Sequence, residues 1–129
     1  NEDPAASVPG EIKAGHEFYT YDDKYADDSE SELEIPAKIP DEHRKKIQKL
    51  AVKTYRVLCC EGMARVDLFL KKDGTAIVNE INTLPGFTDI SIYPKLWEAS
   101  GISQTELIGK LIDRAIKRCQ REQKLKRDF

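Results

Sequence analysis

Four polar residues in the middle of the chain, Arg65, Asp67, Glu80 and Asn82, have spacings that could bring them to one spot. They belong to two runs, residues 63–70 (MARVDLFL) and 75–82 (TAIVNEIN), separated by Asp73-Gly74, a strong hairpin signal. Strand alternation sends Met63, Arg65, Asp67 and Phe69 to one face of the first run, and Ala64, Val66, Leu68 and Leu70 to the other. A two-residue turn at Asp73-Gly74 then places Lys72 opposite Thr75, Phe69 opposite Val78, Asp67 opposite Glu80 and Arg65 opposite Asn82. In this register Ala76, Val78, Glu80 and Asn82 share a face, with Ile77 and Ile81 behind. Val66–Ile81 and Leu70–Ile77 form apolar pairs. Asn79 opposite Leu68 is the one poor match.

Directly opposed carboxylates bring Cβ atoms to roughly 4.5–5.5 Å, and the like charges destabilise the pair. A cation between Asp67 and Glu80, with the Asn82 carbonyl beside it, resolves that conflict. Three hard oxygen ligands are too few for a dedicated Ca²⁺ cage but suit Mg²⁺, which keeps waters and takes substrate phosphates. The bland alternative is a solvated acidic face with Arg65 as an incidental partner. The following loop, TLPGFTDIS, adds an anion site: Gly86 lets backbone approach a ligand closely. Ser91 and Pro94 lie at the start of the next helix, where free N–H groups favour phosphate or carboxylate. Ser91 is equally readable as a plain N-cap.

The elements that must position these groups are legible in outline. Residues 8–19 read as extended, and residues 20–34 as an acid-rich loop without apolar period. Leu33–Ile39 reads as a short strand bounded by Pro36 and Pro40. Asp41 caps a helix to about Leu58, with Ile47, Leu50, Ala51, Thr54, Tyr55 and Leu58 as its stripe. A short helix from about Ile92 to Ser100 stops at Gly101. Ser103-Gln-Thr-Glu106 is a capping box opening a helix over about 104–123, with Leu107, Ile108, Leu111, Ile112, Ala115, Ile116 and Cys119 on one stripe. Strands first, helices last and a hairpin between give an α+β arrangement.

Composition bounds the function. Forty per cent hydrophobic residues over 129 suffice for a real core. No apolar run approaches the roughly 18 residues of a membrane span. The start, Asn-Glu-Asp-Pro, has neither initiator Met nor signal-peptide pattern, so a segment of something longer is expected. Cys59, Cys60 and Cys119 lack metal or disulfide spacing and are expected as small buried hydrophobes in a reducing compartment. The net charge of −2 is uneven: residues 1–35 hold eleven acids against two lysines, the remainder nineteen basic residues against twelve acids. The basic run Lys117–Arg127 has no interleaved aromatics for base stacking, so a solvated helix end is expected rather than a nucleic-acid patch. His16 and His43 read as surface residues, and Trp97 as core.

GMARVDLFL (62–70) and NEINTLPGFTDISIYP (79–94) closely resemble the signature of D-alanine–D-alanine ligases, G-x-x-R-x-D followed by E-x-N-x-x-P-G-(aromatic or Met)-T-x-x-S. FYTYDDKY (18–25) resembles that family's ω-loop, and VPGEI (8–12) the strand before it. The resemblance spans nearly the whole chain, with several motifs agreeing in order and spacing. It implies an ATP-grasp C-terminal subdomain, mainly antiparallel sheet with flanking helices and incomplete on its own. Within residues 1–129 it divides into an ω-loop at about 18–32, a metal-binding hairpin at 63–82, a substrate loop at 83–94 and the C-terminal helix. Asp67, Glu80 and Asn82 would hold two Mg²⁺ ions, with Glu80 bridging and Mn²⁺ able to substitute. Arg65 would stabilise the transferring phosphoryl group and the later tetrahedral intermediate. Ser91 and the backbone at Gly86 would orient the second D-alanine. Lys24 would reach the ATP phosphates on ω-loop closure, and Tyr25 would pack over the substrates, a Tyr there accompanying D-alanine as second substrate.

The implied reaction is ATP-dependent ligation of two D-alanines through an acyl phosphate, for peptidoglycan precursors, by a cytoplasmic homodimer that binds neither nucleic acid nor membrane. The family's N-terminal substrate domain and central ATP-clamping subdomain have no counterpart in these residues, so the chain alone is expected to be inactive. A D-alanine–D-lactate ligase or another ATP-grasp carboxylate–amine ligase keeps the fold and changes the substrate. A two-metal nuclease or phosphatase would use the same carboxylates without ATP, but leaves TLPGFTDIS unexplained. A non-catalytic Mg²⁺-nucleotide-binding module is the alternative from another class, addressed by Mg²⁺-ATP titration.

Overall fold

The structure, a computed structural model, describes residues 3–13 and 32–125. Most of the expected ω-loop, with Lys24 and Tyr25, lies outside the described residues, as do Tyr19, Tyr21 and His16. The described elements run β1 (Glu11–Lys13), β2 (Glu32–Glu34), α1 (Asp41–Val57), β3 (Arg65–Leu70), β4 (Ala76–Asn82), α2 (Ile92–Ala99) and α3 (Gln104–Gln123). The fold is α+β, with two antiparallel ribbons, β1–β2 and β3–β4.

In the first ribbon Ile12 faces Leu33, and the Lys13 ammonium reaches Glu34 at 3.0 Å. The strand expected at 33–39 ends at Glu34. Pro36 and Pro40 cannot donate to a ladder, and beyond Glu34 a lone bond from the Ala37 N–H to the Pro9 carbonyl continues the contact at 2.8 Å.

Helix α1 ends where expected, at Val57 with Leu58 as its C-cap, but starts differently. Pro40, not Asp41, takes the N-cap position, and Asp41 and Glu42 form an acidic first turn that complements the helix dipole. The Cys59 N–H bonds to Arg56 O and the Cys60 N–H to Tyr55 O, each at 3.0 Å, with Cys59 at φ 51°. This is a Schellman ending with cysteine where glycine is usual. Leu58 is left 55% exposed, off the helix's buried stripe. The cysteines are not buried: Cys59 and Cys119 are exposed and Cys60 half-buried. Helix α2 stops as expected, with Gly101 at φ 88° and the Ile102 N–H on Trp97 O at 3.0 Å. The Ser103 hydroxyl caps α3 by accepting the Glu106 N–H at 3.3 Å.

Helix α1 packs on β3 and β4, and α2 on α3. Glu61, just past α1, clasps α3 through Arg118 at 2.8 Å and Arg121 at 2.6 Å. Burial is thin. Among the described residues the buried apolar side chains are Ala37, Ile47, Tyr93 and Leu107 with Pro85 and Pro94, and no large side chain is fully enclosed. The α3 stripe has the expected period, but Ile108, Ile112 and Ile116 are 42%, 55% and 51% exposed. A cavity of ≈ 1060 Å³, bordered by Leu33, Ile47, Val66, Leu68 and Trp97 among others, opens beside the ribbon. No described helix is long and apolar enough to cross a membrane.

Candidate metal and substrate site

Backbone pairing places the four polar residues. Arg65 pairs with Asn82, Val66 with Ile81 and Asp67 with Glu80, as the sequence predicts. Beyond Asp67 the ladder shifts: Leu68 pairs with Val78, Phe69 with Ile77 and Leu70 with Ala76. Asn79, the poor match of the sequence reading, is a β-bulge, one extra residue opposite no partner.

The turn differs by one residue as well. Lys71 donates to Thr75 O and Gly74 to Lys71 O, both at 2.9 Å, so the loop is Lys72-Asp73-Gly74 rather than two residues. A two-residue type I′ turn needs positive φ at both centres. Here Gly74 alone is left-handed, at φ 81°. The Asp73 carboxylate instead accepts the Thr75 N–H at 2.9 Å, an interaction that holds its pKa below the ordinary value. His43 of α1 covers this turn; it is half-buried rather than on the surface, and a Cβ on Gly74 would collide with its ring.

The longer loop and the bulge offset each other, so Asp67 still meets Glu80. They also correct the faces of β4. Ala76, Val78 and Ile81 lie with Leu68 and Val66, and Ile77, Glu80 and Asn82 lie with Asp67. Exposures agree: Phe69 is 60% and Ile77 44% exposed, whereas Ala76, Val78 and Ile81 are half-buried.

On the polar face the Arg65 guanidinium grips Asp67 as a fork, Nε to Oδ1 at 2.8 Å and Nη2 to Oδ2 at 2.9 Å. The same Nη2 stands 3.7 Å from Glu80 Oε1. Two carboxylates and one guanidinium therefore share one patch with a net negative charge. The Asn82 Oδ1 accepts the Leu84 N–H at 3.0 Å, which fixes the amide and leaves its second lone pair for a cation. Two carboxylates and an amide oxygen are a hard donor set with few protein ligands, the kind that suits Mg²⁺ completed by water and phosphate. No cluster of three or more His, Cys, Asp or Glu is placed to hold a metal among the described residues.

The loop that follows the ribbon is held differently. Ser91 occupies the N-cap position of α2, yet its hydroxyl makes no cap bond. It turns back to accept the Thr88 N–H at 2.9 Å and lies 2.9 Å from the Thr88 hydroxyl. Gly86 packs under it: a Cβ there would stand 2.8 Å from Ser91 Oγ. Pro85 is buried behind, and the Phe87 ring meets buried Tyr93, which meets Trp97. Burial pushes the Tyr93 phenol above its usual pKa. Sequence reading found Gly86 and Ser91 but missed Thr88 and Asn79. The Leu68–Asn79 mismatch was the one available signal for the bulge.

Comparison with known proteins identifies the family. A family model described as the D-ala D-ala ligase C-terminus matches residues 1–113. The D-alanine–D-alanine ligase of Oceanobacillus iheyensis is 56% identical over 126 residues, covering 98% of this chain and 34% of that protein. The structure of the Coxiella burnetii D-alanine–D-alanine ligase superimposes with TM-score 0.78 at 40% identity, over 94% of this chain and 30% of that one. A Bacillus anthracis ligase of the same name, complexed with ATP, gives 0.70 at 34% identity over 88% of this chain and 36% of its own. The chain thus spans about a third of the length of the curated relatives it matches.

Proposed function

The chain belongs to the D-alanine–D-alanine ligase family, and on that premise we propose that it supplies the magnesium-holding and second-substrate part of an ATP-dependent D-alanine–D-alanine ligase. The observation that carries this reading is the single ribbon face holding Arg65, Asp67, Glu80 and Asn82, followed directly in sequence by the Gly86–Ser91 loop. Asp67, Glu80 and Asn82 would hold Mg²⁺, which when bound neutralises charge on phosphate oxygens during phosphoryl transfer. Arg65, anchored by Asp67 and reaching towards Glu80, would present its guanidinium to the same oxygens. The Ser91 hydroxyl and the backbone at Gly86 would orient the second D-alanine. Lys24 and Tyr25 would close over the nucleotide and substrates from the ω-loop at about 18–32.

The reaction so assigned phosphorylates one D-alanine carboxylate with ATP. The amine of a second D-alanine then displaces phosphate from the acyl phosphate, giving D-alanyl-D-alanine, ADP and phosphate. We place the full protein in the cytoplasm as a homodimer making peptidoglycan precursors. The remaining polypeptide would fill the open cavity and cover the apolar faces.

Phosphate release from ATP by the full polypeptide carrying this segment tests the reading. Release should require D-alanine and fall by more than about 100-fold in Glu80→Gln, while D-lactate as second substrate should support little turnover. ATP hydrolysis indifferent to D-alanine, or preferential ligation of D-lactate, would overturn the assignment. Residues 1–129 alone should show no turnover.

A further inference from the structure

Support for Ser91 reaches it from outside its own loop. Gln104, the first residue of α3, donates from Nε2 to the Phe87 carbonyl at 3.3 Å. The Phe87 carbonyl and the Thr88 N–H belong to one planar trans peptide, so they point in opposite directions as a rigid unit. A donor that holds the carbonyl therefore sets the aim of the N–H. That N–H is the one bonded to Ser91 Oγ at 2.9 Å. On the other side the Phe87 ring is 5.6 Å from that of Tyr93, centroid to centroid, so the residue is held by α2 through its ring and by α3 through its carbonyl. When the Thr88 hydroxyl also donates to Ser91 Oγ, both acceptor positions of that oxygen are filled. Its own proton is then what that oxygen has left to donate.

We propose that Gln104 is a positioning residue: by fixing the Phe87–Thr88 peptide plane from α3, it orients the Ser91 hydroxyl for the second amino-acid substrate. The functional half of this statement rests on the ligase reading above. The mechanical half does not.

Gln104→Ala, Gln104→Glu and Gln104→Lys in the full ligase separate the two. Ala removes the donor, Glu keeps the length but offers a carboxylate in its place, and Lys restores a donor. Ala and Glu should raise the KM for the second D-alanine about two- to tenfold, the span of one net hydrogen bond, with kcat and Tm unchanged. Lys should return the KM towards wild type. Amide exchange at Thr88 should quicken in Ala and Glu but not in Lys. Ser103→Ala weakens the α3 cap alone and should lower Tm without changing the KM, which distinguishes a tether from a loosened helix. An unchanged Thr88 exchange rate in Gln104→Ala overturns the proposal, as does a loss of kcat and Tm that Lys fails to repair. If the wild-type protein joins no D-amino acids, the ligase reading falls, and the exchange rates still decide whether Gln104 holds the peptide.

Discussion

The β3–β4 ribbon and the Thr83–Ser91 loop place functional groups side by side by opposite means. In the ribbon, Asp67 and Glu80 are brought opposite each other by backbone partners paired in register. In the loop, Ser91 is held by two contacts to Thr88 and a close approach at Gly86, and the neighbouring Phe87 by a tilted aromatic contact with Tyr93. A site built on a ladder should tolerate changes of the side chains around its ligands and fail on changes of residue count that shift the register. One built on side-chain bonds should do the reverse.

The largest effect should therefore come from inserting one residue between Asp67 and Leu68. The new residue would pair with Asn79, restore regular alternation and turn Asp67 and Glu80 to the face of Val78. Catalysis by the full enzyme should fall more than about 100-fold. Deleting Asn79 also removes the bulge but leaves Asp67 opposite Glu80, so Mn²⁺ binding, followed by electron paramagnetic resonance, should survive. Loss of binding in the deletion would mean that the bulge itself aims Glu80.

In the loop one methyl should suffice. Gly86→Ala places a Cβ 2.8 Å from Ser91 Oγ and must displace that hydroxyl from Thr88. The KM for the second D-alanine should rise about tenfold with little change in Tm. Gly74→Ala in the ribbon turn should do the opposite. Its left-handed φ and the His43 ring oppose any side chain, and unfolding in urea should show a loss of about 1–2 kcal/mol with KM unchanged. Adding His43→Ala should recover the steric part and leave the backbone part.

The smallest effect is that of acid on the turn. The Asp73 pKa is depressed chiefly by the Thr75 N–H it accepts. A carboxyl whose folded-state pKa is lowered stabilises above its ordinary value and loses that stabilisation as pH falls through the folded value. Exchange at the Thr75 amide should be faster in Asp73→Asn than in the wild type near neutrality, after correction for the intrinsic rate. The wild type should approach the variant only below the ordinary carboxylate range.

What could be read from the sequence depended on the range of the interaction. Asp67 opposite Glu80 is legible because alternation and a turn signal act locally, although the loop is one residue longer than expected and the Asn79 bulge makes up the difference. The face of Val78 is not legible without that bulge. The period of α3 is plain in Leu107, Leu111 and Ile112, but periodicity does not tell whether a stripe is covered, and of these three Ile112 is not. Gln104 could not be found at all, since its partner is a backbone carbonyl 17 residues away, and backbone carbonyls carry no sequence label. Cys59 in a left-handed cap was equally hidden, because glycine is the residue that announces such a position.

In the proposed function the Asp67–Glu80 face of the ribbon receives the metal ion of a metal–nucleotide complex. Titrating the full protein with Mn²⁺ in the presence of ATP, and following paramagnetic broadening of its amide resonances, addresses that claim directly. Broadening should centre on residues 65–67 and 80–82 and vanish in an Asp67→Asn, Glu80→Gln double variant. Broadening centred elsewhere, or unchanged in that variant, would contradict it.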